Sequence, residues 1–522
     1  MNNTRGSGSP RRRIGAALAV TTLTVLGVAA CDSADDEDHP ASVPPAAALA
    51  WGPCPAAAPG TTRDPRLTCA KVKVPLDYGR PDGTSIEVVV SRLGATDPAK
   101  RHGVLLLNPG GPALPGLDTP GAMAPTLPKP VLDGYDLIGF DPRGVGTSTP
   151  QSCGLDNPSL AALFPYPAAD GSIDANVQAA RATAGKCAAK AGENLRHFTT
   201  ANTARDLDRV REALGEAKIS YWGQSYGTYL GTVYNALYPD RTDRVILEGN
   251  VDPAHVWAGE AESWGKGMAE RFPDAAAVAA AQHATLGLGA TPDEVTRTYL
   301  ALADRLDHRP APVPGTPQSV NGAMLRGITY ALLLHNETLP VLTQVWKAAA
   351  DLADGHLTEA DGQVLEQVSA EAPAAPGVPA DNQATMFLAL TCGDAEWSHD
   401  VGGYARSTAA DRKTWPLTAG MPANIWPCAF WPQPVEKPVT VTGNDARNTL
   451  ILQNRRDHAT TWDSGTGLRR VLGDRAALVG VDNGGHYVYH EGSACADNAT
   501  VSFLDTGRLP DKDIDCTDVT RH

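Results

Sequence analysis

Residues 219–237 constrain this 522-residue chain more than any other stretch. Ile219-Ser-Tyr-Trp222 is a short strand-forming run, Gly223-Gln-Ser-Tyr-Gly227 is a turn, and Ser225–Leu237 reads as the helix that follows. A serine flanked by glycines at a strand-to-helix turn sits in a strained backbone. Glycine is needed on both sides because Cβ atoms would collide where the two elements cross. Such a turn presents the hydroxyl at the carboxyl edge of a parallel sheet, so Ser225 is a candidate nucleophile and the chain is expected to be α/β.

The rest of the chain is patterned accordingly. Strands are predicted at Lys71–Leu76, Ile86–Leu93, Val104–Asn108, Tyr135–Phe140, Ile219–Trp222, Val245–Glu248, Thr449–Gln453 and Ala477–Val481. Helical spacing of Leu207, Val210, Arg211 and Leu214 marks a helix over 203–214. From about Asp252 to Pro434 the alternation stops, and Ala-rich helical segments joined by Pro-rich loops take over. The expected organisation is a leader (1–30), a disordered tether (31–50), a sheet core in two parts (51–253 and 435–522) and a helical cap (254–434) inserted between them.

The leader has Arg11-Arg12-Arg13 before an apolar run that ends in Val28-Ala29-Ala30-Cys31, the pattern of a lipoprotein signal whose cysteine carries the lipid. Cys31 is therefore the expected membrane anchor, with the enzyme on the extracellular side of the cell membrane. Eight further cysteines, an even number, suit an oxidising compartment. They form four sequence-near couples, Cys54/Cys69, Cys153/Cys187, Cys392/Cys428 and Cys495/Cys516, one of 105 possible pairings. No Cys/His cluster has zinc spacing, so no metal is expected, and no cofactor is implied. The net charge of −15 argues against a nucleic-acid partner, and no obligate protein partner is evident.

A serine nucleophile needs an oxyanion hole, a base and an acid. One donor is expected from Tyr226, the residue after the serine. The other is expected from Gly111, with Gly110 as alternate, in the loop Pro109-Gly-Gly-Pro112, where Pro112 has no N–H. Of the late histidines His458, His486, His490 and His522, only His486 follows a strand through the short loop Asp482-Asn-Gly-Gly485 and so sits at the sheet's carboxyl edge. Asp457 follows the strand at 449–453 and is the favoured acid; Glu248, one strand earlier, is the competitor.

Several pieces together make the sequence resemble the secreted tripeptidyl-aminopeptidase branch of the proline-iminopeptidase-like serine peptidases. They are Cys69-Ala-Lys-Val-Lys-Val-Pro-Leu-Asp-Tyr78, Asn108-Pro-Gly-Gly-Pro112, Asp136–Ser148, Tyr221–Gly231, Asp457-His-Ala-Thr460, Asp482–His486, Cys495-Ala-Asp497 and Gly507–Asp513. The resemblance spans nearly all of residues 51–519. It implies an α/β-hydrolase fold, a triad of Ser225, Asp457 and His486, oxyanion donors Gly111 and Tyr226, and a cap that favours a free N-terminus. Asp141 and Arg143 match a loop read as a structural ion pair. The chain departs from the pattern at Ala113-Leu-Pro115 and at His458, which stands where proline is usual.

Three functions are compatible with these residues. The favoured one is an aminopeptidase acting on peptide substrates, releasing di- or tripeptides through a serine acyl-enzyme. The others are an envelope carboxylesterase or lipase with the same triad, and an inactive binding protein. An aminopeptidase must hold a cationic amine, for which Glu248, Asp394 and Glu396 are the candidates; Trp397, Trp415, Trp426 and Trp431 are candidates for an apolar wall.

Overall fold

The computed structural model describes residues 45–520 apart from 158, 317–318, 370–372 and 443–445. The leader, the lipidation site Cys31, most of the tether and His522 lie outside the described residues. Residues 45–50 have no regular structure, yet Ala46 and Leu49 pack against the core, so the tether reading does not hold for its last residues.

Among the described residues eleven strands are formed, β1 (Thr68–Pro75), β2 (Ser85–Leu93), β3 (Gly103–Asn108), β4 (Tyr135–Phe140), β5 (Ile219–Gln224), β6 (Thr242–Glu248), β7 (Ala311–Pro312), β8 (Ser319–Val320), β9 (Thr449–Arg456), β10 (Ala476–Gly484) and β11 (Ile514–Cys516). Nine make one sheet, ordered β1-β2-β4-β3-β5-β6-β9-β10-β11, and β7 and β8 pair separately. β2 runs antiparallel to β1 and β4; every pairing from β4 to β11 is parallel. Because side chains alternate along a strand, each central strand feeds two cores. Val104, Leu106, Tyr221, Val245 and Leu247 face one layer, and Leu105, Leu107, Trp222 and Ile246 face the other.

The inserted region is less unitary than its sequence. Its helices at Ala258–Ala281, Pro292–His308, Gly322–Leu332 and Leu339–Asp354 share a core of their own around Phe272, Tyr299, Leu342 and Trp346. The helix Asn382–Gly393 and Trp426 instead join the main core, with Phe198 and Cys187 from the β4–β5 crossover. The four disulfides are Cys54–Cys69, Cys153–Cys187, Cys392–Cys428 and Cys495–Cys516, the sequence-near pairing.

The Asp141/Arg143 pair expected from the sequence does not form. Arg143, fully buried, makes a two-pronged contact with Asp206 at 2.6 and 2.7 Å and donates to the carbonyls of Pro75, Leu76 and His197. Asp141 instead accepts the N–H groups of Gly116 and Thr147 and the Thr147 hydroxyl. Both residues are structural, but each ties a different loop to the sheet.

Candidate active site

β5 ends at Gln224 and the helix Tyr226–Leu237 begins one residue after Ser225, which takes φ 56° and ψ −125°. Positive φ at a non-glycine residue is strained and persists only where its surroundings over-determine it. Here Ser225 N–H donates to Glu248 O (2.9 Å) and Thr228 N–H returns to Ser225 O (2.8 Å). A Cβ on Gly223 would run into the Gly227 carbonyl, so only glycine lets strand and helix cross. Gly110 meets the turn from the other side, where an added Cβ would lie 2.8 Å from that of Ser225.

The Gly110 N–H is taken by Asn108 Oδ1 (3.0 Å), which leaves Gly111 as the donor at the mouth of the cavity. Tyr226 N–H is the first of its helix, where amide groups lack intrahelical partners and the helix dipole is positive. Gly111, Pro112, Ser225 and Tyr226 line the same cavity, of about 90 Å³.

His486 and Asp457 follow β10 and β9. Asp457 is fully buried; its Oδ2 accepts from His486 Nδ1 (2.9 Å), Thr460 Oγ1 (2.9 Å) and Gln453 Nε2 (3.2 Å), and its Oδ1 from the Ala459 and Thr460 amides. Burial works to lower the His486 pKa, but the Asp457 charge and hydrogen bond outweigh it, and the net displacement is upward. The imidazole packs on Gly249, next in chain to the carbonyl that holds Ser225 N–H. His486 and Ser225 thus both lie against the Glu248-Gly249 segment that follows β6.

The cap takes part directly. His486 N–H donates to Leu334 O (2.7 Å), and the buried Arg271 of helix Ala258–Ala281 holds that turn through Leu333 O (3.0 Å) and His335 O (3.3 Å). Arg271 also pairs with Asp274, which pairs with Arg456 of β9. His458, beside the acid, is buried and lowered to about 3 chiefly by burial; it stays neutral and bonds Tyr330 O through Nε2 (2.8 Å). The departure from proline at 458 therefore gives the acid loop a second tie to the cap. His490 is exposed and outside this cluster.

None of the three amine candidates lines the cavity. Glu248 Oε1 accepts from Val488 and Tyr489 N–H, and Oε2 from Trp222 Nε1 and Gln224 Nε2, so its oxygens brace the His486 loop against β5. That engagement also removes it as the triad acid. Asp394 is buried behind the wall, on Thr200 and Trp257, and Glu396 is exposed and away from the cavity. Of the tryptophans, Trp397 and Trp426 line the cavity with Trp257, Trp264 and Phe387; Trp415 and Trp431 do not.

The carboxylate that does line it is Glu260, on the first helix of the cap. It is 4% exposed; Oε2 accepts from Ser464 Oγ (2.9 Å), while Oε1 is buried with no hydrogen-bond partner. Burial first, then the charges of Asp457 and Asp252, push it up to about 8. In sequence it is one acid in a mixed helix, Ala258-Gly-Glu-Ala-Glu-Ser263, with no signal that separates it from Glu262.

Comparison with known proteins gives consistent results. The family model described as "alpha/beta hydrolase fold" matches residues 103–325, and that described as "TAP-like protein" matches residues 417–516. The tripeptidyl aminopeptidase of Streptomyces lividans is 32% identical over 467 residues, covering 86% of this chain and 83% of that protein. Serine protease Hip1 of Mycobacterium tuberculosis (strain CDC 1551 / Oshkosh) is 30% identical over 482 residues, covering 89% and 90%. Carboxylesterase B of the same strain is 32% identical over 483 residues, covering 89% of each chain.

Proposed function

The chain belongs to the tripeptidyl-aminopeptidase-like family of serine peptidases with the α/β-hydrolase fold, and from that membership we propose that it releases di- or tripeptides from free N-termini. Ser225 Oγ attacks the scissile carbonyl while His486 takes its proton, with Asp457 holding the imidazole in the Nδ1–H tautomer. The Gly111 and Tyr226 amides receive the developing oxyanion. His486 then protonates the leaving amine, and water hydrolyses the resulting ester by the same steps.

The observation that carries the exopeptidase reading is the unpartnered Oε1 of Glu260 in the wall of the cavity that holds Ser225. A buried carboxyl without a partner is costly. An ammonium group seated there would let it ionise and complete its hydrogen bonding, whereas an acylated nitrogen offers a neutral N–H without the charge and an alkyl ester offers no donor. The apolar rings around it leave Glu260 as the group that distinguishes a charged terminus.

Glu260→Gln is expected to raise KM for a free tripeptide anilide by roughly 30-fold or more, the scale of a buried charge contact of about 2 kcal/mol. The N-acetylated anilide, cleaved poorly by wild type, is expected to change less than about threefold; Ser225→Ala supplies the blank. Equal cleavage of free and acetylated peptides by wild type would overturn the reading and favour the esterase alternative, which the apolar cavity and the relative named carboxylesterase support.

Export with a lipid on Cys31 is part of the same proposal, supported by the leader sequence and by four disulfides that suit an oxidising compartment. Incorporation of labelled palmitate that is lost in Cys31→Ser is the expected result.

A further inference from the structure

Asp394 is buried, has no cationic partner within ion-pair distance among the described residues, and plays no part in the mechanism above. It follows the helix Asn382–Gly393, and its contacts reach toward the reaction site along two routes. Oδ1 accepts the Thr200 N–H (2.7 Å), an amide at the start of helix Thr200–Leu214. Oδ2 accepts the Thr200 hydroxyl (2.6 Å) and Trp257 Nε1 (3.3 Å).

The Thr200 hydroxyl also lies 2.8 Å from Tyr226 Oη. A hydroxyl has one proton, and an ionised carboxylate can only accept. With Asp394 ionised the order is fixed: Tyr226 O–H donates to Thr200 Oγ1, which donates to Asp394. Tyr226 is the residue whose amide serves the oxyanion, and its ring stacks on Trp257 with centroids 5.8 Å apart. Trp257 in turn is a wall of the substrate cavity.

We propose that Asp394 is a positioning residue of the hydrolytic site, holding the oxyanion-side residue Tyr226 through Thr200 and the cavity wall through Trp257 with a single carboxylate. This rests on serine chemistry at Ser225 and not on amine recognition by Glu260. A proton on Oδ2 would turn the acceptor that faces Thr200 into a donor and weaken the one that faces Trp257 N–H, so that Thr200 donates to Tyr226 instead of accepting from it. The groups that bear on its ionisation are Tyr226 and Tyr229, Glu436, itself paired with Arg205, and Lys437 across a small neighbouring cleft. Burial pushes the carboxyl up to about 7, and His486 is displaced upward as well, by the charge and hydrogen bond of Asp457.

The test uses the full chain and p-nitrophenyl acetate, which needs the triad and the oxyanion hole but no amine site, so that failure of the amine reading cannot affect the outcome. Asp394→Asn keeps the shape but sets an NH₂ group against two donors. It is expected to lower kcat about 10- to 100-fold, less than outright loss of an oxyanion donor, with KM changed less than about threefold. The acid limb of log kcat/KM is expected to be steeper than slope one in wild type over the one to two pH units in which Asp394 takes up its proton, roughly the span of that 10- to 100-fold loss, and to keep slope one throughout in Asp394→Asn. Thr200→Val, which removes the hydroxyl between Asp394 and Tyr226 but leaves the Trp257 contact, is expected to lower kcat about tenfold and keep a steeper segment. An unchanged kcat, or a slope that Asp394→Asn leaves unaltered in folded protein, overturns the proposal. If Asp394→Asn does not fold, wild-type kcat in Thr200→Val overturns it.

Discussion

His486 is displaced upward because Asp457 outweighs its burial, and the direction has a kinetic consequence. The base must be neutral to take the Ser225 proton, so activity is expected to fall as pH drops through a value above the free-histidine pKa of about 6.5. A kcat/KM profile whose half-point lies at or below 6 would contradict this. Asp457→Asn would turn an NH₂ toward Nδ1 and favour the wrong tautomer, and is expected to cost about 10³- to 10⁴-fold in kcat without unfolding the chain. At this scale the sequence was informative where chemistry forces a local pattern. A strained serine must have glycine neighbours, and the histidine and aspartate must follow strands at the sheet's carboxyl edge. Glu260 left no such trace, because a lone acid in a mixed helix reads as a solvated one until the helix is docked over the cavity. Asp394 was noticed, but for a contact with substrate that its position behind Trp257 forbids.

Among the elements, the crossing of β5 and the helix Tyr226–Leu237 tolerates no added atom at Gly223. Gly223→Ala is expected to cost about 3 kcal/mol, read as a lowered urea midpoint at unchanged slope, because the obstruction is backbone and cannot swing away. The Cys392–Cys428 bond joins the helix bearing Phe387 and Thr391 to the turn after Trp426, all cavity residues. Replacing both cysteines by serine is expected to lower kcat/KM for a tripeptide anilide about tenfold while p-nitrophenyl acetate changes less than threefold, since only the longer substrate needs that wall. Equal losses on both would place the bond's role elsewhere. Eight of the nine strands of the main sheet were visible as apolar runs. β11 was not, because three residues, Ile514-Asp-Cys516, carry no period; a disulfide to Cys495 and pairing with β10 hold it. The divided allegiance of 254–434 was equally hidden, since helical spacing shows that a face is apolar but not which core it joins.

For the molecule as a whole, Glu260 couples the site to stability. Unfolded, it loses its proton near the ordinary value of 4.5; folded, burial keeps the proton until about 8. The folded state binds more protons across that interval, so this contribution is present in full below 4.5 and disappears as pH rises through 8. Asp394, held up to about 7, acts in the same direction. The Tm of Glu260→Gln is expected to rise relative to wild type between pH 5 and 8.5, by about 1 °C per kcal/mol for a chain of this length; a gap that does not vary with pH would refute the linkage. The hydrogen bond from His486 N–H to Leu334 O, with Arg271 behind it, bears on how such a protein could be remade. Anyone exchanging the insertion to acquire a new specificity would be removing the carbonyl that holds His486 along with the helix that bears Glu260. Chimeras joined at 258 and 369 are therefore expected to arrive inert unless the donor supplies its own carbonyl at that spot, so the modules of this enzyme are not interchangeable parts.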